Sequence, residues 1–195
     1  MNKRPRIGFL ASNTGSSFRA IVEAIREGEL EAEPALLVSN RRSASALAFA
    51  GQYGIASQVI ATEADPVLAD QQLCQAMQAA RVDLIVLSGY LRRLGPVTLA
   101  AWPDAILNIH PGPLPDFGGE GMYGRAVHAA VISASLRQTE ITIHLVDGDY
   151  DHGEVLVRHP VPIPVGCDAA GLEALVTAAE PSVFVQALKA RLGDI

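Results

Sequence analysis

Short apolar runs of four or five residues, each followed by a stretch with helical spacing, recur along this chain and leave it few folds. Ile7-Gly8-Phe9-Leu10-Ala11, Ala35-Leu36-Leu37-Val38, Ser57-Gln58-Val59-Ile60, Leu84-Ile85-Val86-Leu87 and Ala105 to Ile109 read as strands. Their apolar character is continuous rather than alternating, so both faces of the sheet they form must be covered. The intervening stretches supply the cover. Phe18, Ile21, Val22 and Ile25 follow the i, i+3, i+4, i+7 spacing of an amphipathic helix, which Gly28 closes. The Ala-rich stretch Ser45 to Tyr53 is a second helix stopped at Gly54, and Asp65-Pro66 caps and opens a third that reaches about Ala80. Strands alternating with helices in this way predict a parallel α/β sheet.

With 195 residues, 49% of them hydrophobic, the chain can bury a full core as one domain or a compact two-lobed one. The formal net charge is -6, and the 15 basic and 21 acidic residues are spread along the sequence, so nothing marks a nucleic-acid or anionic-membrane surface. Cys74 and Cys167 are far apart and in no C-x-x-C spacing, which implies neither a disulfide framework nor a zinc site and fits a reducing cytoplasm. The start, Met1 to Arg6, is basic, but the apolar run after it is too short for a signal peptide or a membrane span.

Beyond Pro111 the texture changes. Pro111, Gly112, Pro113, Pro115, Gly118, Gly119, Gly121 and Gly124 crowd into one loop at the carboxyl end of an expected strand, the place where open α/β sheets bind ligands. A helix from about Arg125 to Ser135, strands at Ile141 to Val146 and Val155 to Val157, and a last helix from Asp168 to Leu192 complete the pattern. No element is expected between Leu94 and Ala105.

Three stretches can carry chemistry. Asn108 and His110 stand two residues apart on an extended segment and so share a face. An amide donor and an imidazole there can meet one carbonyl as its oxygen gains charge; equally, Asn108 can cap a turn beside a structural histidine. Ser12 to Ser17 joins the first strand to the first helix, so its N–H groups and hydroxyls suit a phosphate, or simply cap the helix. It is neither G-x-G-x-x-G nor G-x-x-x-x-G-K-[ST]. Asp147 to Glu154 is an acidic turn that offers a carboxylate to a histidine or is merely solvated; His152 and Arg158 stand where a calcium loop needs Gly and Glu. The five histidines have no metal-ligand spacing, and no nucleophile elbow is present. No metal and no covalent intermediate are expected.

Taken in order, Ser12 to Ser17, Leu87-Ser88-Gly89-Tyr90-Leu91-Arg92-Arg93-Leu94, Asn108-Ile109-His110-Pro111-Gly112-Pro113-Leu114-Pro115 and Asp147 to Gly153 resemble the formyltransferase family that uses 10-formyltetrahydrofolate, over nearly the whole chain. The likeness is greatest to its members that formylate phosphoribosylglycinamide in purine synthesis. It implies one catalytic domain over residues 1–195, with a doubly wound, mostly parallel, Rossmann-like sheet of about seven strands and helices on both faces. It implies Asn108, His110 and Asp151 as the catalytic set, with Asp151 raising the pKa of His110. Gly15, Ser16 and Ser17 would bind the substrate phosphate, Leu91, Arg92, Arg93, Leu94 and Asn108 the folate, and Glu180 the glycinamide. The implied partners are small molecules, phosphoribosylglycinamide and the formyl-folate cosubstrate, with no nucleic acid, no membrane and a monomeric or homodimeric state. Two departures stand out. A basic residue common before the third helix is absent around Pro66, and Asp116 to Gly124 is glycine-richer than is usual. Another formyl transfer, hydrolysis of formyl-folate, a silent folate- or nucleotide-binding module, or an α/β domain of no assignable function are the competing readings. The relatives that act on transfer RNA carry an extra domain for which 195 residues leave no room.

Overall fold

The computed structural model describes residues 4–193. The first strand, β1 (Arg6–Leu10), leads through α1 (Ser16–Arg26) to β2 (Glu33–Ser39), and α2 (Ser45–Gln52) leads to β3 (Ser57–Val59). The chain then crosses through α3 (Pro66–Ala79) to β4 (Leu84–Leu87), and continues with α4 (Pro96–Ala101), β5 (Ile106–His110), α5 (Arg125–Ser133), β6 (Gln138–Leu145), β7 (Val155–Pro162) and α6 (Ala169–Gly193). One seven-stranded sheet results, in the order β3-β2-β1-β4-β5-β6-β7. β1 to β5 pair in parallel, while β6 and β7 pair antiparallel. The sheet is therefore doubly wound and mostly parallel, as expected. Its strand order reverses between β1 and β4, and the carboxyl ends of those strands open a crevice.

Each face carries its own core. Phe9, Phe18, Val127 and Phe184 lie in the cluster under α1, α2, α5 and α6, and Leu73, Met77, Ile85 and Trp102 in the one under α3 and α4. On the first face an aromatic chain locks α1 and α2 to β1, with ring centroids 4.8 Å apart for Phe9 and Phe18, 5.4 Å for Phe18 and Phe49, and 4.4 Å for Phe49 and Tyr53. No helix among the described residues is long and apolar enough to cross a membrane.

Two elements differ from the sequence expectation. α4 is a six-residue helix whose amino end is capped from a distance: Asp70 on α3 accepts from the N–H of Val97 at 2.8 Å and of Thr98 at 3.1 Å. A cap that arrives from another helix leaves no local signature. β7 runs on to Pro162, although Pro160 and Pro162 lack the N–H a central strand needs. It is the edge of the sheet, where proline is tolerated.

The turn between β6 and β7 folds back because residue 153 has no side chain. A Cβ there would overlap the main-chain carbonyl of Leu145, whose N–H donates to the Glu154 carbonyl at 2.9 Å. Gly148 in the same turn has open space around it. Gly153→Ala is expected to cost about 2 kcal/mol or more of folding stability, and Gly148→Ala less than about 0.5 kcal/mol; denaturant melts of the two variants measure the contrast.

Candidate active site

Asn108 and His110 project from one face of β5. β6 runs antiparallel beside it in a register that sets His144 opposite Asn108 and Thr142 opposite His110. Directly opposed residues of an antiparallel pair share a face, so the pairing adds a second imidazole to the site. The β6–β7 turn then drops Asp151 between the two histidines. Its carboxylate lies 3.4 Å from His110 Nδ1 through Oδ2 and 3.4 Å from His144 Nε2 through Oδ1. The Gly119 N–H donates to Oδ2 at 3.1 Å. Asp151 takes the left-handed conformation, with φ 56°, which Asp tolerates better than most residues.

The Gly-rich loop after β5 makes this approach possible. A Cβ on Gly118 would collide with the Leu114 side chain and come within 3.0 Å of Asp151 Cβ, and Gly119 has φ 99°. The same loop supplies the carbonyl of Phe117, 2.8 Å from His110 Nε2. A carbonyl only accepts, so Nε2 carries a proton, and Nδ1 is the nitrogen left to serve Asp151.

His110 is 3% exposed. Burial pushes its pKa down, while Asp151 and the Phe117 carbonyl pull it up and His144 pushes it down again; the net shift is downward. The expectation that Asp151 raises His110 holds for that pair alone, because the cost of burying an imidazolium is larger. For Asp151 the balance runs the other way. Burial raises its carboxyl, but the contact with His144, the charge of His110 and the Gly119 N–H together hold it below the usual value.

A small cleft of about 80 Å³ opens beside this cluster, lined among others by Tyr90, Arg92, Arg93, Leu94, Asn108 and Asp151. Four of the five residues expected to hold folate are thus brought to one place. The fifth, Leu91, is 46% exposed and outside the lining. Arg92 is ion-paired with Glu63, just ahead of α3, and Pro66 opens that helix behind an Asp65 cap. Arg93 donates to the Gly148 carbonyl, reaches Asp149 at 3.3 Å and lies over the Tyr150 ring at 5.5 Å, strapping the Asp151 turn to the β4–α4 segment.

The Ser12 to Ser17 loop ends β1, which neighbours β4, which neighbours β5. At the usual strand spacing the loop lies roughly 10 Å from the end of β5. Ser12 Oγ accepts from the Leu91 N–H at 2.9 Å, tying the loop to the segment expected to hold folate. Gly15 caps α1 in the left-handed region and Ser16 and Ser17 begin the helix. Gly15 and Ser17 are buried, while Asn13 and Thr14 form the exposed rim. Two arginines that the sequence did not single out hold that rim: Arg41 donates to Asn13 Oδ1 at 3.0 Å and Arg19 to the Thr14 carbonyl at 2.9 Å.

Glu180 is half-buried on α6 with no ion-pair partner among the described residues, and burial pushes its carboxyl up to about 7. Among the described residues no hydrogen bond or ion pair joins it to the histidine cluster. Among the described residues no group of three or more His, Cys, Asp or Glu is arranged to hold a metal ion.

Residues 5–188 match the Formyl transferase family. The chain belongs to that family. It is 34% identical over 190 residues to the chloroplastic phosphoribosylglycinamide formyltransferase of Vigna unguiculata, a match covering 96% of this chain and 61% of that protein. The chain thus spans less than two thirds of that plant relative. The phosphoribosylglycinamide formyltransferase of Bacillus subtilis is 30% identical over 190 residues, 96% of this chain and 95% of that one. Among solved structures, a glycinamide ribonucleotide transformylase from Symbiobacterium toebii superposes with a TM-score of 0.90 at 28% identity, covering 100% of this chain and 90% of that one.

Removing the charge of Asp151 removes the largest upward pull on His110. Asp151→Asn, which keeps the left-handed backbone, is expected to move the His110 titration to still lower pH in NMR. For Glu180 the folded pKa of about 7 lies above the unfolded value of 4.5, so the wild type loses stability as pH rises through that window. Glu180→Gln is expected to melt like wild type near pH 4 and to be more stable near pH 8, by an amount on the order of 1–3 kcal/mol.

Proposed function

We propose that this chain transfers the formyl group of 10-formyltetrahydrofolate to the primary amine of phosphoribosylglycinamide, a step of purine biosynthesis, working as one catalytic domain in the cytoplasm. The observation that carries the chemistry is the burial of Asp151 between two imidazoles at the end of β5, beside an amide donor. The names of the relatives carry the choice of acceptor.

The amine of phosphoribosylglycinamide attacks the formyl carbon, and its lone pair forms the new C–N bond as the formyl oxygen takes up negative charge. Asn108 donates an amide N–H to that oxyanion, in a site where water is largely excluded. His110, whose Nδ1 faces Asp151, adds positive charge when protonated and passes its proton toward N10 of the folate. The bond from the formyl carbon to N10 then breaks, N10 leaves with the proton, and the attacking nitrogen gives up one of its own to the Asp151–His110 pair. Protons balance, and no covalent intermediate with the protein forms. The downward push of burial on His110 suits this task, because a proton held against desolvation is readily given up.

The acceptor phosphate sits at the Asn13 to Ser17 rim, where the helix N-terminus, Arg41 and Arg19 provide positive potential. The pterin lies against Tyr90, Leu94 and Asn108.

Purified protein given both substrates is expected to release tetrahydrofolate in proportion to formylated product. His110→Ala is expected to lower kcat/KM by roughly 10²- to 10⁴-fold without changing the far-ultraviolet circular dichroism. Formate release that does not require the amine would replace this reading with a hydrolase.

A further inference from the structure

His144 has no part in the reaction as derived above, yet it is 2% exposed and touches two members of the catalytic set. Its hydrogen bonds fix its state. Nδ1 lies 2.8 Å from the carbonyl of Leu145, which only accepts, so Nδ1 bears a proton. Nε2 lies 3.1 Å from Asn108 Nδ2 and 3.4 Å from Asp151 Oδ1. It cannot serve both. As a bare lone pair it accepts from the Asn108 NH₂; as an N–H it donates to Asp151, and Asn108 must then turn its amide over to present oxygen. The Asn108 contact falls inside the normal hydrogen-bond range and the Asp151 contact outside it.

We propose that His144 is a positioning residue: its unprotonated Nε2 holds the Asn108 amide with nitrogen inward, so that the second N–H of that amide stays aimed at the developing oxyanion. The inference deepens the proposed formyl transfer and rests on it for the role of Asn108. A further consequence concerns the proton. Nδ1 of His110 and Nε2 of His144 are the two ring nitrogens that face Asp151, and each imidazole has its other nitrogen tied to a main-chain carbonyl. With the His144 lone pair engaged by Asn108, Nδ1 of His110 is the ring nitrogen of the pair left to Asp151 alone. The charged and titratable groups facing His144 are Asp151 and His110, with Tyr90, Arg92, Arg93, Asp147, Asp149 and Tyr150 lining the same cleft.

The register makes this arrangement local and rigid. Asn108 and His144 are directly paired across β5 and β6, and the carbonyl that orients the imidazole is the one Gly153 packs against. A shift of one residue in that pairing would carry His144 to the other face of the sheet.

The test combines two variants with one measurement on the wild type. His144→Phe keeps the ring but has no lone pair; His144→Gln offers a side-chain carbonyl that accepts from Asn108. His144→Phe is expected to lower kcat by roughly 10- to 100-fold with both KM values within about 3-fold, and His144→Gln to recover most of that loss. Nitrogen-15 NMR of the free wild-type protein near pH 8 is expected to show His144 as the Nδ1–H tautomer. Wild-type turnover by His144→Phe, equal losses in both variants, or an Nε2–H tautomer would overturn the inference. If His144→Phe does not fold, the glutamine variant and the tautomer decide. If the wild type transfers no formyl group at all, the functional reading fails while the tautomer still reports on His144.

Discussion

Everything in the site depends on one buried carboxylate. Asp151 is held below the usual carboxylate value although burial opposes it, by the charge of His110 and by the Gly119 N–H. Each imidazole is clamped from behind by a main-chain carbonyl, Phe117 for His110 and Leu145 for His144. Two clamped rings around one charge leave few places for a proton and few orientations for the Asn108 amide. Such preorganised polar groups act at the moment of reaction without first having to reorient.

The fold supplies this constellation through choices that look unrelated to chemistry. The strand-order reversal between β1 and β4 opens the crevice, and the switch from parallel to antiparallel pairing at β6 brings His144 across from Asn108. Three glycines then shape the approach. Gly118 and Gly119 bring the loop under Asp151, and Gly153 returns the turn against Leu145. The glycine-rich loop is thus part of the site's wall. Arg93 holds the turn from its open side, and Arg92 is bound to Glu63, just ahead of α3.

The sheet was legible in the sequence because continuous apolar strands and amphipathic helices are local patterns, and Asn108, His110 and Asp151 were legible through ordered motifs. What escaped has a common cause. α4 is capped by Asp70 from another helix, β7 is a strand only because an edge tolerates Pro160 and Pro162, and His144 matters only through a cross-strand register. None of these is a property of neighbouring residues. His144 did carry one usable signal, since a histidine in the apolar run Ile141 to Val146 must find partners once buried. The net downward shift of His110 was hidden for the same reason, as motif reading sees the Asp151 charge but not the depth of burial.

The site can be seen at work in a crystal structure with a tetrahedral adduct mimic, phosphoribosylglycinamide joined through a hydroxylated carbon to a deazafolate. The adduct hydroxyl is expected within hydrogen-bond distance of Asn108 Nδ2, with His110 Nδ1 facing the folate nitrogen position and the phosphate at the Asn13 to Ser17 rim. An adduct whose hydroxyl lies away from Asn108 and His110, with Asp151 turned out of the cluster, would contradict it.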